Sequence, residues 1–308
     1  MGRRRGGTGV VVLLTMLLVG LLCAGCGGES TSRTSSSEAQ SRSSAAASSS
    51  PVTGAPESTA YVHLGDSYAA GTGVTPFVPD SPLLCQRSSL NFGHLVAQRR
   101  GLELTDVSCA GATTADLTAE QYYGVAPQLD ALGPNTRLVT MTLGGNNDAV
   151  FGGSVSKCSA VAGAGTGSPC RDRYGDQLAA PIEETVYPAL VAGLQAIAQR
   201  APNARVLIVG YPWILPATGG CFPQMQIAEG DVGYLHALQA ELNVAVERAA
   251  GAAGATFVDM AQVSQGHDAC AGTARWVEPQ RGTTARVTLH PNAAGQQAMA
   301  EQVLAALG

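Results

Sequence analysis

Ser67 stands in Gly65-Asp66-Ser67-Tyr68-Ala69-Ala70-Gly71, just after the short β-prone run Ala60–Leu64. The flanking glycines permit a tight strand-to-helix turn that presents a hydroxyl at a sheet edge. Gly-Asp-Ser also suits an ordinary turn or helix cap. It is not a G-x-S-x-G elbow, because position 69 is alanine. Gly111, in Ser108-Cys109-Ala110-Gly111-Ala112-Thr113-Thr114, follows a second candidate strand. Its N–H is free to serve an oxyanion, or the glycine simply fits a turn. Asn146, in Leu143-Gly144-Gly145-Asn146-Asn147-Asp148, follows a third. An amide there donates to developing negative charge, and an asparagine there equally caps a helix. His290, in Leu289-His290-Pro291-Asn292, opens the last helical segment, a rigid start that projects an imidazole back over the sheet edge. Singly these signals are unspecific. Brought to one spot, the four would act on a carbonyl.

The elements that must bring them together are legible as periodicity. Ala60–Leu64, Leu102–Ser108, Arg137–Leu143, Arg205–Gly210 and Ala255–Asp259 read as strands. Leu90–Arg100, Ile182–Arg200, Val232–Ala250 and Asn292–Leu307 read as helices. Strands that alternate with helices, and that are apolar throughout instead of at every second residue, predict an α/β fold with a parallel sheet covered on both faces. Ligands bind such sheets at the carboxyl ends of the strands. The Gly-rich stretch 152–175 and the stretch 260–290 lack a regular period and read as pinned loops. One α/β domain over residues 59–308 accounts for the chain beyond its N-terminal region.

That N-terminal region is different in kind. Arg3–Arg5, the apolar run Val10–Leu22 and the small residues up to Cys26 predict an export signal over residues 1–26. The run is too short to span a bilayer comfortably. Its Ala24-Gly25-Cys26 end resembles a bacterial lipobox, which would make Cys26 a lipidated N-terminus and tether the protein to a membrane. Ordinary cleavage a little further on is the alternative. Residues 27–58, rich in Ser, Ala, Thr and Gly, read as a disordered tether. Flexible chain of that length reaches roughly 30 Å.

With 18 Lys and Arg against 23 Asp and Glu, the chain carries −5, and about −8 once Arg3–Arg5 are removed. An acidic chain whose single lysine is Lys157 offers no surface for nucleic acid. The six cysteines beyond the signal are Cys85, Cys109, Cys158, Cys170, Cys221 and Cys270. An even number in an exported chain implies a disulfide framework. Fifteen pairings are open; the sequential one (85–109, 158–170, 221–270), which closes the smallest loops, is the expectation. Beyond the signal no Cys or His pair has metal-ligand spacing.

In the order Ser67, Gly111, Asn146, His290, the blocks G-D-S-Y-A-A-G, C-A-G-A-T-T, T-L-G-G-N-N and H-P-N-A-A-G resemble the four signatures of the SGNH, or GDSL-type, hydrolases. The six cysteines and the loop Gly266-His267-Asp268-Ala269-Cys270 are similar to the secreted, disulfide-bonded bacterial lipase/esterase branch. This resemblance implies a three-layer α/β/α, flavodoxin-like fold and a carboxylic ester hydrolase needing no metal or cofactor. It implies Ser67 as nucleophile and His290 as base. Ser67 N–H, Gly111 N–H and the Asn146 amide would form the oxyanion hole. A monomer acting on an ester or lipid substrate is expected, secreted or held at the cell surface.

Two departures from the family pattern carry weight. Its asparagine block usually reads G-x-N-D, so a one-residue shift makes Asn147 the donor instead of Asn146. The aspartate often found three residues before the histidine is Val287 here. The group that accepts the Nδ1 proton is then expected to be the carbonyl of Val287 or one close to it. A distant acid, Asp268 or Glu278, is the alternative. His63, His94 and His236 read as packing or surface residues, and His267 as a pocket wall or structural residue. The segment Trp213-Ile214-Leu215-Pro216 and the loop around Trp276 are candidate acyl-chain walls, or core. Lipid or simple esters are favoured over sugar esters; a phospholipase, a carbohydrate acetyl esterase and an inactive surface-binding lipoprotein are the alternatives.

Overall fold

The computed structural model describes residues 60–308. The expected signal over 1–26, with Cys26, and the tether over 27–58 lie outside the described residues. Strands β1 (Ala60–Gly65), β2 (Glu103–Asp106), β3 (Leu138–Thr142), β4 (Arg205–Val209) and β5 (Thr256–Val258) form one sheet in the order β2-β1-β3-β4-β5. Every neighbouring pair is parallel. This is the flavodoxin-like order, in which the chain reverses direction across the sheet between β1 and β3. All five residues of β3, and Tyr61–Gly65 of β1, are buried. That burial is why these strands are mostly apolar and why their polar His63, Thr140 and Thr142 are hydrogen-bonded inside the protein.

Seven α-helices accompany the sheet: α1 (Ser67–Ala70), α2 (Phe92–Arg100), α3 (Val150–Val161), α4 (Pro169–Tyr174), α5 (Tyr187–Arg200), α6 (Val232–Ala253) and α7 (Ala293–Leu307) among the described residues. Right-handed crossovers from a strand order that reverses at β1 place α2 on one face and α5 and α6 on the other. Helix α7 packs beside α2, and α5 beside α6. Local chemistry sets the ends. Asn91 caps α2 by accepting from His94 N at 2.9 Å, and Gly101 closes it at φ +62°. Asn292 caps α7 by accepting from Gly295 N at 3.1 Å.

One stretch differs from its expectation. Much of residues 152–175, read as irregular, is helical, in α3 and α4. Gly152 and Gly153 lower the intrinsic helix preference and hide the period. Burial of Val150, Phe151, Ser154, Val155 and Cys158 on one side of α3 overrides it. The disulfide Cys158–Cys170 then joins α3 to α4. The other bridges are Cys85–Cys109 and Cys221–Cys270, so the pairing is sequential.

Candidate active site

At the carboxyl end of β1 the backbone turns so closely against β3 that no side chain fits. Gly65 has φ +115°, and a Cβ there would lie 2.2 Å from the Thr142 carbonyl oxygen. Asp66 then caps α1 by accepting from Tyr68 N at 2.9 Å, which makes Ser67 its first residue. The Ser67 Oγ lies 2.8 Å from Nε2 of His290. Nδ1 of His290 lies 2.7 Å from the Thr288 carbonyl oxygen. A carbonyl only accepts, so Nδ1 carries the proton of the neutral ring and Nε2 turns its lone pair to the Ser67 hydroxyl. Burial pushes the His290 pKa below its ordinary value of 6.5, and the Thr288 contact offsets part of that shift.

The group on Nδ1 is thus the carbonyl of Thr288, one residue beyond Val287. Neither candidate acid bonds His290. Asp268 accepts from Cys270 N at 2.8 Å. Glu278, fully buried, accepts from Thr284 N at 2.8 Å, Thr284 Oγ1 at 2.7 Å and Asn292 Nδ2 at 3.1 Å, and pairs with Arg275 at 3.2 Å. Glu278 instead holds the histidine loop: its N–H donates to the His290 carbonyl at 3.0 Å and its carbonyl accepts from Leu289 N at 2.8 Å. Leu289 sits at φ +62°, a strained conformation for leucine. Tyr68, from α1, fixes it by donating its hydroxyl to the Leu289 carbonyl at 2.7 Å.

Three candidate oxyanion donors are left open among the described residues. The N–H groups of Ser67 and Gly111 donate to no described residue, and Gly111 is exposed at φ +80°. Asn146 spends one amide N–H on the Ala112 carbonyl at 3.0 Å and keeps the other. Asn147 is occupied at both ends by Thr114, at 3.1 Å and 2.6 Å. Of the two asparagines, Asn146 lines the cavity beside Ser67.

The model of the GDSL-like Lipase/Acylhydrolase family matches residues 63–298. Lipase 2 of Streptomyces coelicolor is 51% identical over 253 residues, covering 80% of this chain and 85% of that one. The chain belongs to the GDSL-like lipase/acylhydrolase family. Membership makes it a carboxylic ester hydrolase. Among solved structures, phospholipase A1 from Streptomyces albidoflavus superposes with a TM-score of 0.69 at 29% identity, covering 80% of this chain and 98% of that one. The extracellular lipase of Streptomyces rimosus superposes with a TM-score of 0.68 at 30% identity, covering 80% and 99%.

Tyr211 ties the parts of this GDSL-like site together. Its hydroxyl donates to Asp66 Oδ2 at 2.6 Å and accepts from Gly145 N at 2.9 Å. Thr142 Oγ1 donates to Asp66 Oδ1 at 2.6 Å. Burial pushes the Asp66 carboxyl up to about 6, against these bonds, which favour the carboxylate. One phenol therefore joins the serine turn to the Gly145-Asn146 turn. The sequence reading missed it. The available signal was its place in Gly210-Tyr211-Pro212, directly after β4 at the ligand-binding edge.

The cavity, of about 100 Å³, is walled by Tyr68, Phe151, Tyr211, Ile214 and Leu289 beside Ser67 and His290. Phe151 was missed because α3 was read as loop. Of the proposed walls only Ile214 takes part. Trp213 donates to the Ala261 carbonyl at 2.7 Å and stacks on His236, and Trp276 stacks on His267. His63 lies fully buried beneath α1, bonded to Thr140 Oγ1 at 2.8 Å and the Ala69 carbonyl at 3.0 Å. His94 pairs with Asp106 at 3.4 Å. Among the described residues no three His, Cys, Asp or Glu side chains cluster as a metal site.

Replacing Tyr211 by Phe strands two buried polar groups, the Gly145 N–H and one Asp66 oxygen. The expected outcome is a loss of about 1–3 kcal/mol, read as a lower urea midpoint at unchanged slope.

Proposed function

We propose that the chain is an exported lipase or esterase that cleaves lipid or simple carboxylic esters through an acyl-enzyme on Ser67. His290 Nε2 takes the Ser67 proton as Oγ attacks the ester carbonyl. The N–H groups of Ser67 and Gly111 and the second Asn146 N–H receive the oxyanion. His290 then gives its proton to the leaving alcohol. Water, deprotonated by the same nitrogen, releases the acid and regenerates Ser67. The observation that carries this reading is the 2.8 Å contact between Ser67 Oγ and His290 Nε2. The Thr288 carbonyl supplies the orienting part of an aspartate's work without its charge.

Apolar and aromatic walls, and relatives named as lipases and as a phospholipase A1, support lipid or simple esters over sugar esters. Three disulfides support an oxidising, extracytoplasmic location. The signal, the tether and lipidation at Cys26 complete the reading as a monomer held at, or released from, the cell surface.

A fluorophosphonate probe tests the mechanism: the parent labels covalently, and Ser67→Ala does not. A folded parent that stays unlabelled would favour the inactive binder. Replacing Asn146 by Ala removes one oxyanion donor and is expected to lower kcat by about 10²–10³, measured on a dissolved chromogenic ester. Because burial favours neutral His290, kcat/KM should fall on acidification with a midpoint below 6.5, as protonation removes the base. An acid limb centred above 6.5 would contradict that environment.

A further inference from the structure

Three large apolar side chains stand in water around one small part of this molecule. Leu83 is 83% exposed, Leu84 59%, and Tyr123 fully. Single exposed apolar residues are ordinary, but these three are brought together by a shared anchor. Leu83 and Leu84 occupy the turn that ends in Cys85, which is bridged to Cys109. Tyr122, next to Tyr123, packs on the buried cluster of Cys85, Cys109 and Val125. The peptide before Gly111 is clamped by both tips. Its Ala110 N–H donates to the Cys85 carbonyl at 3.1 Å, and its carbonyl accepts from Gln121 Nε2 at 2.7 Å and Tyr122 Oη at 3.3 Å. The two tips therefore flank the segment that carries Gly111 and Ala112, whose Ala112 carbonyl accepts from the cavity residue Asn146 at 3.0 Å.

Charge narrows the occupant. Residues 60–308 carry −7 (13 Lys and Arg, 20 Asp and Glu), yet Thr75–Leu90 holds only Asp80 and Arg87, and Gln121–Pro127 holds no charge. Arg87 Nε is spent on the Ser108 carbonyl at 2.6 Å. An uncharged apolar surface on an acidic protein complements an uncharged lipid surface. Tyrosine suits such a boundary, with an apolar ring and a wet hydroxyl.

We propose that Leu83, Leu84 and Tyr123 form a rigid docking surface for the uncharged interface of an aggregated lipid ester, setting the cavity mouth against it. This inference rests on the ester-hydrolase reading above. The disulfide pre-orders the tips, so docking orders little additional chain.

The test compares the full chain with its Leu83→Ser/Leu84→Ser/Tyr123→Ser variant. Both carry Cys26→Ser, so that no acyl anchor contributes. The variant should hydrolyse dissolved p-nitrophenyl acetate within about twofold of the parent. Its rate on a tributyrin emulsion, and its binding to phosphatidylcholine vesicles, should fall by about tenfold or more, the scale of withdrawing two leucines and a tyrosine from an apolar phase. Equal vesicle binding and equal emulsion rates for the two proteins would overturn the proposal. So would a concentration-dependent dimer of the parent that the substitutions dissociate in sedimentation, since the patch would then be a self-interface. A parent inert towards the dissolved ester would count against the proposed function instead, and vesicle binding would still decide the docking claim.

Discussion

Asp66 is a carboxylate buried at the edge of a parallel sheet, with no cation beside it among the described residues. Burial of such a group is costly unless its oxygens are filled, and here hydrogen bonds fill them. The Tyr68 N–H, the Thr142 hydroxyl and the Tyr211 hydroxyl all converge on it. Those donors come from the serine turn, from β3 and from the segment after β4. Satisfying one carboxylate therefore fixes three chain segments relative to one another. Because Tyr211 also accepts from Gly145, the same demand sets the turn that bears Asn146. The aspartate of Gly-Asp-Ser is thus the hub on which the positions of Ser67 and Asn146 both depend.

The imidazole is placed by different means. His290 precedes α7 and is held through its neighbours. Tyr68 and Glu278 grip Leu289 in a left-handed conformation that leucine would not adopt unaided. Glu278, buried and saturated by Thr284, Asn292 and Arg275, acts on the loop and not on the ring. A carbonyl at Nδ1 fixes the tautomer but, lacking a full negative charge, offsets only part of the burial that disfavours the imidazolium. That environment keeps the base neutral and makes the oxyanion donors correspondingly important to the proposed mechanism.

How far these features were legible differs residue by residue. The strands and α2, α5, α6 and α7 follow from apolar periodicity, and the four blocks bearing Ser67, Gly111, Asn146 and His290 from short glycine-rich signatures. Helix α3 was hidden because Gly152, Gly153 and several small residues weaken the period, while its burial comes from packing. With α3 went Phe151, a wall of the cavity. Tyr211 was hidden for another reason: a lone tyrosine after a strand has no partner in the linear chain. The tryptophans were open to two readings, wall or core, and only packing chose between them: Trp213 and Trp276 are taken up by stacking on His236 and His267.

What the sequence determined by itself is the set of local signals: strand and helix periods, the glycine at position 65 that lets the backbone turn, and the family to which the blocks belong. These depend on residues within a few positions of one another. The tertiary structure alone decided the rest. It set the Nδ1 N–H to donate to the Thr288 carbonyl and not to Asp268 or Glu278, turned Asn146 and not Asn147 to the cavity, and joined Asp66 to Tyr211. Each is a choice between near-equivalent groups settled by a few ångströms, and those distances exist only once strands distant in sequence lie side by side.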